Sequence, residues 1–409
     1  MTFTFSPREF VNSSFLYMIA LSVILNTRSI WMHIYGTGNR FSDYVFMLLS
    51  LGVLGYFFTK PQVSRKNVHS AIAIAVGVFF YIGFWILVTR YNMLPALKFA
   101  ASALILVFFF LIQESIERHE LLLKYRNVMI IIASLSLIIW MFGSLFHLIQ
   151  PTGVVQTVWT NTGLPRSVPS YFNLYFETQR ISDITRNTAI FTEAPMASLH
   201  FSIALLIEAY IQKNFSSMRF GLFSIAILST FSTTGIVSLI LVFLHKYLFT
   251  RGRSNLLQVL KIVMLPLILF VAIYVVWWLI ETRLGTSSGS VRMDDFIIGI
   301  RAWLLNPFFG NGYLNTAFIK QFMGMWRSEN TGFSNSITML LASGGVYMAM
   351  LYIVPILSNL KNMKKAMLIP FLLGSIYLFI FTIIPFEYLT IVLIVFLSSY
   401  KLDKTAYLM

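Results

Sequence analysis

The 409-residue sequence contains no cysteine, which excludes disulfides, thiolate nucleophiles and any metal site built on cysteine sulfur. Charge is scarce too. Only 11% of the residues are Asp, Glu, Lys or Arg, where a soluble domain would carry about 25%. Acidic residues are the rarer sign, 15 against 30 basic. No His and carboxylate residues cluster at ligand spacing, so neither a metal nor another cofactor is expected. The sequence has no fixed-period internal repeat and no low-complexity tract, which removes solenoids and gives no support to an inverted-repeat transporter.

What remains is strongly apolar: 57% hydrophobic residues, 16% aromatic ones and a mean hydropathy of +0.77. Runs of about 18 or more apolar residues recur, each long enough to cross about 30 Å of hydrocarbon as a helix. In lipid each segment must satisfy its own backbone, so the sequence predicts an all-α polytopic membrane protein, a single transmembrane domain over residues 1–409. About twelve spans are expected, over residues 15–35, 41–58, 68–88, 94–112, 128–149, 195–211, 220–231, 235–248, 259–280, 337–357, 367–384 and 389–400. The first is followed by no small-residue cleavage signature and reads as a retained helix.

Cytoplasmic loops collect lysine and arginine. Lys60, Arg65 and Lys66, then Arg118, Lys124 and Arg126, then Lys213 and Arg219, then Lys361, Lys364 and Lys365 all fall on one side, together with both termini, which makes that side cytoplasmic. The net charge of +15 is therefore mostly a topology signal, and nucleic acid is not an expected partner. The other side carries two connections, 150–193 and 281–335, far longer than the about two to eight residues usual between bundle helices. Loops of that length usually carry function.

The basic residues of these two outer loops are Arg166, Arg180 and Arg186 in the first and Arg283, Arg292, Arg301 and Arg327 in the second, with Lys320 the lone lysine. A guanidinium fork grips phosphate oxygens in pairs where an ammonium acts as a point charge, so the pattern suits a phosphate or pyrophosphate ligand. The competing reading is that these arginines snorkel at the interface or pair with Glu177, Asp183, Asp294 and Asp295.

Within the second loop, Ser290 is placed to cap a helix running to about Leu305, with Asp294 and Asp295 in its first turns and Asn306-Pro307 ending it. Met293, Phe296, Ile297, Ile300, Trp303 and Leu304 share one face, as in an amphipathic helix on the outer membrane surface that displays Arg292 and Arg301. A structural re-entry helix fits the same periodicity. In the first loop Glu193 precedes Pro195 at a helix start, where it is a cap, a general base or a partner that positions Arg186. His147 and His200 read as packing residues, and Lys98 and Glu208, inside spans, as residues facing the bundle or snorkelling.

Three segments then resemble one family, the O-antigen polymerase and O-antigen ligase superfamily of bacterial envelope polysaccharide assembly. Arg186 through Pro195 resembles its arginine, small residue, phenylalanine and Glu-Pro signature, with Ala194 inserted between Glu193 and Pro195. The stretch from Ser229 to Gly235 resembles its hydroxyl-rich junction. Ser290-Val291-Arg292 followed by Asn306-Pro307-Phe308-Phe309-Gly310-Asn311-Gly312 resembles its arginine and Asn-Pro-Leu-Phe-Gly-x-Gly signature, the most specific of the three. Ligases of the family carry a His-Asn-Ser motif before a helix with paired glycines. Here the stretch is Ser334-Asn335-Ser336, with Gly344-Gly345 further on, so Ser334 stands where the ligases have histidine and no base carries over.

The resemblance implies a GT-C-like bundle in the bacterial inner membrane whose two long loops are periplasmic. The implied reaction is that of a Wzy-type polymerase: a growing glycan passes from undecaprenyl pyrophosphate to a hydroxyl of a lipid-linked repeat unit. Its implied partners are the undecaprenyl-pyrophosphate-linked oligosaccharide, the bilayer and a chain-length regulator. For that chemistry Arg186 and Arg292, then Arg301 and Arg283, are the candidate pyrophosphate ligands, and Glu193, then Asp294, the candidate base. An O-antigen ligase and a lipid-linked oligosaccharide flippase are the alternatives. A flippase would set its charges along a central cavity, whereas here they concentrate in loops.

Overall fold

The long apolar runs become helices. The computed structural model describes residues 7–36, 40–60, 65–114, 117–159, 164–181, 183–249, 255–284, 287–327, 332–365 and 368–400. They form α1 (Pro7–Asn26), α2 (Phe41–Thr59), α3 (Arg65–Thr89), α4 (Met93–Ile112), α5 (Glu120–Ile139), α6 (Ala194–Tyr210), α7 (Ser217–Ser229), α8 (Thr233–Phe249), α9 (Asn255–Leu284), α10 (Ser287–Leu305), α11 (Thr316–Lys320), α12 (Ser336–Ser358), α13 (Leu360–Lys365), α14 (Ile369–Ile380) and α15 (Tyr388–Ser399). Among the described residues seven helices are long and apolar enough to cross a bilayer, namely α1 to α5, α9 and α12. The chain is a helical membrane protein.

The expected span pattern needs correction in detail. Five further apolar helices, α6, α7, α8, α14 and α15, are shorter; α14 and α15, at 12 residues each, reach about 18 Å against about 30 Å of hydrocarbon. The first helix stops at Asn26, not near residue 35, and a 3-10 turn at Ile30–His33 follows it. The fifth begins at Glu120, earlier than residue 128, and its C-terminal end passes into a π-helical stretch over Trp140–Leu145.

The segment 150–193 is not an open loop, and the fold is not purely helical. β1 (Gly153–Thr157), β2 (Arg166–Tyr171) and β3 (Tyr175–Phe176) make an antiparallel sheet, and β4 (Arg180–Ile181) pairs with β5 (Ile184–Thr185). Phe172 and Asn173, both at positive φ, form the tight turn between β2 and β3, a geometry whose twist matches the strands. The sheet docks on the π-helical end of α5. Tyr171 Oη and Ser144 Oγ both donate to Glu177 Oε1, at 2.8 and 2.7 Å.

The segment 281–335 is mostly helical as well. α10 starts at Ser287, so Ser290 lies inside the helix and is not its cap. The helix buries Val291, Asp295, Ile298 and Ala302, and it packs against α12. The apolar stripe expected from the sequence is the face it leaves outside: Met293, Ile297, Ile300 and Leu304 are exposed.

The Asn306–Gly312 signature and the paired glycines form one structural unit. α12 is broken at Gly345, which stands at φ +60°, ψ −166°. The 307–312 turn segment lies along the break: Asn311 N and Gly312 N donate to the carbonyls of Ala342 and Ser343, and Val346 N and Tyr347 N donate to those of Pro307 and Phe308, each at 2.9 Å. Backbone meets backbone so closely that a Cβ on Gly345 would fall 2.3 Å from Phe308 O, and one on Gly310, at φ +66°, 2.4 Å from Ser343 C. Gly345→Ala is therefore expected to lose at least about 1–3 kcal/mol from the strained φ alone, read as a lower thermal midpoint of the detergent-solubilised protein, with Gly77→Ala, where a Cβ meets open space, as the mild control.

Candidate functional site

α6 is the innermost helix. All its residues but Pro195 and Tyr210 are buried, and it packs against α5, α7, α8 and α14. A helix buried all round has no solvated face on which to place charge. Its histidine is held internally: His200 bonds Tyr125 Oη at 2.6 Å and the Thr27 carbonyl at 3.1 Å, and it stacks on Phe191 at 4.2 Å.

The stretch leading into α6 is where distant segments meet. Ile30 N donates to Ile190 O at 2.9 Å, Thr192 N donates to Arg28 O at 3.0 Å, and Ser29 bridges Phe191. Asn26 Oδ1 accepts from Tyr388 N at 2.9 Å. The end of α1, the 186–195 signature and the start of α15 are thus tied together at one end of the bundle. The hydroxyl-rich stretch joins from the other side, with Asn187 bonded to Ser229 through both backbone and side chain. α8 crosses α6 there in close contact, since a Cβ on Gly235 would lie 1.8 Å from Ser198 Oγ.

Glu193 sits at the centre of this meeting point, at the N-cap of α6, yet its side chain makes no capping bond. Burial pushes its carboxyl above the usual carboxylate range, while Arg28, Arg186, Arg292 and the Trp159 indole N–H pull it down. Arg292, on α10, donates to Thr234 Oγ1 in the first turn of α8 at 3.4 Å. The structure thus brings Arg292 to Glu193 and Arg186 from a segment about a hundred residues away.

Arg186 is more committed than its sequence context implies. Its Nε donates to Thr230 O at 2.7 Å, one Nη to Phe231 O at 3.3 Å and the other to Gln179 Oε1 at 3.2 Å. Thr230 caps the end of α7 and Phe231 takes a left-handed φ of 50°. The guanidinium therefore satisfies carbonyls that the helix end leaves open, besides placing charge beside Glu193.

The remaining candidates lie elsewhere. Arg301 is exposed; nine residues after Arg292, it points about 180° away around α10. Asp294 is not a free base, because its Oδ2 takes Arg327 at 3.0 Å. Arg327, fully buried, also grips Asp295 Oδ1 at 2.6 Å and Gly332 O at 2.5 Å. Asp295 Oδ2 accepts from Ser334 Oγ at 2.5 Å. Burial raises Asp295, and Ser334 and Arg327 counter it. The Ser334-Asn335-Ser336 stretch is consumed in structure: Asn335 caps α12, and Ser336 bonds Thr382 O and Ile384 N. The backbone of Arg283 lies in α9, and its side chain lies outside the described residues.

Two site residues escaped the sequence reading. Arg28 reaches Glu387 Oε1 through Nε at 3.5 Å and stacks over Trp159, 4.4 Å from the ring centroid. Glu387 precedes α15, and burial raises its carboxyl against the pull of Arg28. His33, beside Trp159, is kept neutral, lowered to about 3 by burial and by Arg28. A charged residue inside an apolar run was the available signal for Arg28. No known family model, curated protein or solved structure matches this chain.

Proposed function

We propose that the protein is a membrane glycosyltransferase of the polymerase type. It transfers a growing glycan from undecaprenyl pyrophosphate to a hydroxyl of a lipid-linked repeat unit at the periplasmic face of a bacterial inner membrane, where both long connections lie, with both termini cytoplasmic. The observation that carries this reading is the partly buried carboxylate Glu193 in the field of Arg28, Arg186 and Arg292, where the segments bearing them meet. As the glycosyl bond breaks, negative charge gathers on the departing pyrophosphate, and fixed guanidinium groups stabilise that charge more than they stabilise the ground state. A raised carboxyl nearby suits removal of the acceptor hydroxyl proton. The three short helices that start at this end, α6, α8 and α15, and the outward apolar face of α10 fit a site set just inside the interface, reached by a lipid-anchored substrate.

The polymerase is favoured over the ligase because the residue at the ligase histidine position, Ser334, is bound to Asp295 in a buried network. It is favoured over a flippase because Arg28, Arg186, Glu193 and Arg292 gather at one bundle end, while the other buried ionic groups, Glu208 with Arg126 and Arg219 and Asp295 with Arg327, are paired among themselves. The test is a gel of surface polysaccharide from a host lacking the gene. Wild type restores a ladder of repeat units, while Arg292→Ala and Arg186→Ala at normal expression leave single units. Long polymer retained on the carrier lipid in the deletion strain would instead identify a ligase.

A further inference from the structure

Several arginines packed into the bundle are held by short bonds to carboxylates or carbonyls. Arg126 and Arg219 hold Glu208 at 2.7 and 2.9 Å. Arg327 holds two aspartates, and Arg118 bonds the carbonyls of Phe110 and Ser399. Arg28 is different. Its side chain is only 13% exposed, yet its sole polar contact among the described residues is Glu387 at 3.5 Å, and its Nε has no hydrogen-bond partner. Charged hydrogen bonds of this kind close to about 2.7–2.9 Å when they are made in full. The backbone of Arg28 is held at φ +60° by its bond to Thr192, an uncommon conformation for a side-chain-bearing residue. The Trp159 ring supports the guanidinium face and leaves the edge, with its paired donors, uncovered by that contact.

We infer that Arg28 is an anion-binding residue of the Glu193 site, suited to a diphosphate, and that Glu387 is an internal anion competing with the ligand for the same guanidinium. This rests on the transfer reading above and deepens it. Arg186 spends donors on Thr230, Phe231 and Gln179, so Arg28 supplies the planar grip that Arg186 gives partly to the protein. The groups facing Arg28 include Glu387, Glu193, Trp159, Tyr313 and the neutral His33. A dianionic ligand arriving there replaces the one loose contact Arg28 has, and Glu387 is left to its burial, which already favours its protonated form.

The test uses the full-length protein in lipid nanodiscs, titrated calorimetrically with inorganic pyrophosphate and with a polyprenyl pyrophosphate, while tryptophan emission is followed. Arg28→Lys, which keeps the charge and removes the fork, is expected to weaken both ligands at least tenfold. Glu387→Gln, which removes the competitor, is expected to tighten them severalfold. The pyrophosphate-induced emission change is expected to vanish in Trp159→Phe. Opposite shifts in Arg28→Lys and Glu387→Gln are not what a purely structural pair gives, since breaking such a pair from either side acts in one direction. Unchanged affinity in Arg28→Lys, weakening in Glu387→Gln, or an emission change that persists in Trp159→Phe overturns the inference and leaves the transfer reading standing. Absence of pyrophosphate binding by the wild type defeats both.

Discussion

Glu208→Ala is expected to be the most destabilising single change in the chain, by about 3–5 kcal/mol. Glu208 is fully buried near the end of α6 opposite the candidate site, and it takes Arg126 Nη1 at 2.7 Å, Arg219 Nε at 2.9 Å and Ser216 N at 2.8 Å. Removing the carboxylate leaves the Arg126 charge without its counterion where water does not reach, and three helices, α5, α6 and α7, lose the group that joins their ends. Arg219 contributes less, because its side chain is 31% exposed and water takes over part of the interaction. The measurement is the thermal midpoint and the monodisperse fraction of the detergent-solubilised protein. Replacing both members of the inner pair, Glu208→Met with Arg126→Met, is expected to recover much of the loss, since the desolvation of two charges then disappears together. A double variant as unstable as the single one would mean that packing around α6, and not the unpaired charge, sets the effect.

The second large effect is on chemistry. Glu193→Gln is expected to reduce chain transfer by about 10²–10⁴-fold, the usual worth of a positioned general base, while leaving the thermal midpoint close to wild type, because Glu193 makes no capping bond that the amide would break. The pH profile gives the sign. A base acts in its ionised form, and burial raises the Glu193 carboxyl. Transfer is therefore expected to climb with pH through a point above the ordinary carboxylate range, and the Gln variant is expected to lack that limb. Nanodisc-embedded enzyme with lipid-linked repeat units is the assay. A Gln variant of wild-type rate, or a limb that survives the substitution, removes Glu193 as the base; the electrostatic role of the arginines is a separate matter, read from Arg292→Ala.

The membrane character, the positions of most apolar helices and the arginine bias of the two long connections were legible because they depend on composition and period, which a single sequence carries. Helix ends were less legible. Residues 27–35 are apolar enough to extend the first span, yet Arg28 turns into a left-handed conformation and the chain leaves the helix at Asn26. The strands of 153–185 were missed because they are short and their valines and tyrosines alternate over too few residues to outweigh the helical signal around them. The most specific family-like signature, Asn306 to Gly312, proved to be a structural clasp with Gly344-Gly345, a pairing that only the fold can disclose, since backbone hydrogen bonds between remote segments leave no periodic trace.

That this chain is a helical membrane protein, and that Glu193, Arg186 and Arg292 belong on a short list, follows from its residues alone. Tertiary structure decided which of the listed residues share a site. Arg301 is turned away by the helical period, Asp294 is taken by Arg327, and Arg28 and Glu387 arrive from the two ends of the chain because α1 and α15 pack side by side. Local preference acts over a few residues. Electrostatic encounters across more than three hundred and fifty residues of sequence exist only once burial has folded the helices together.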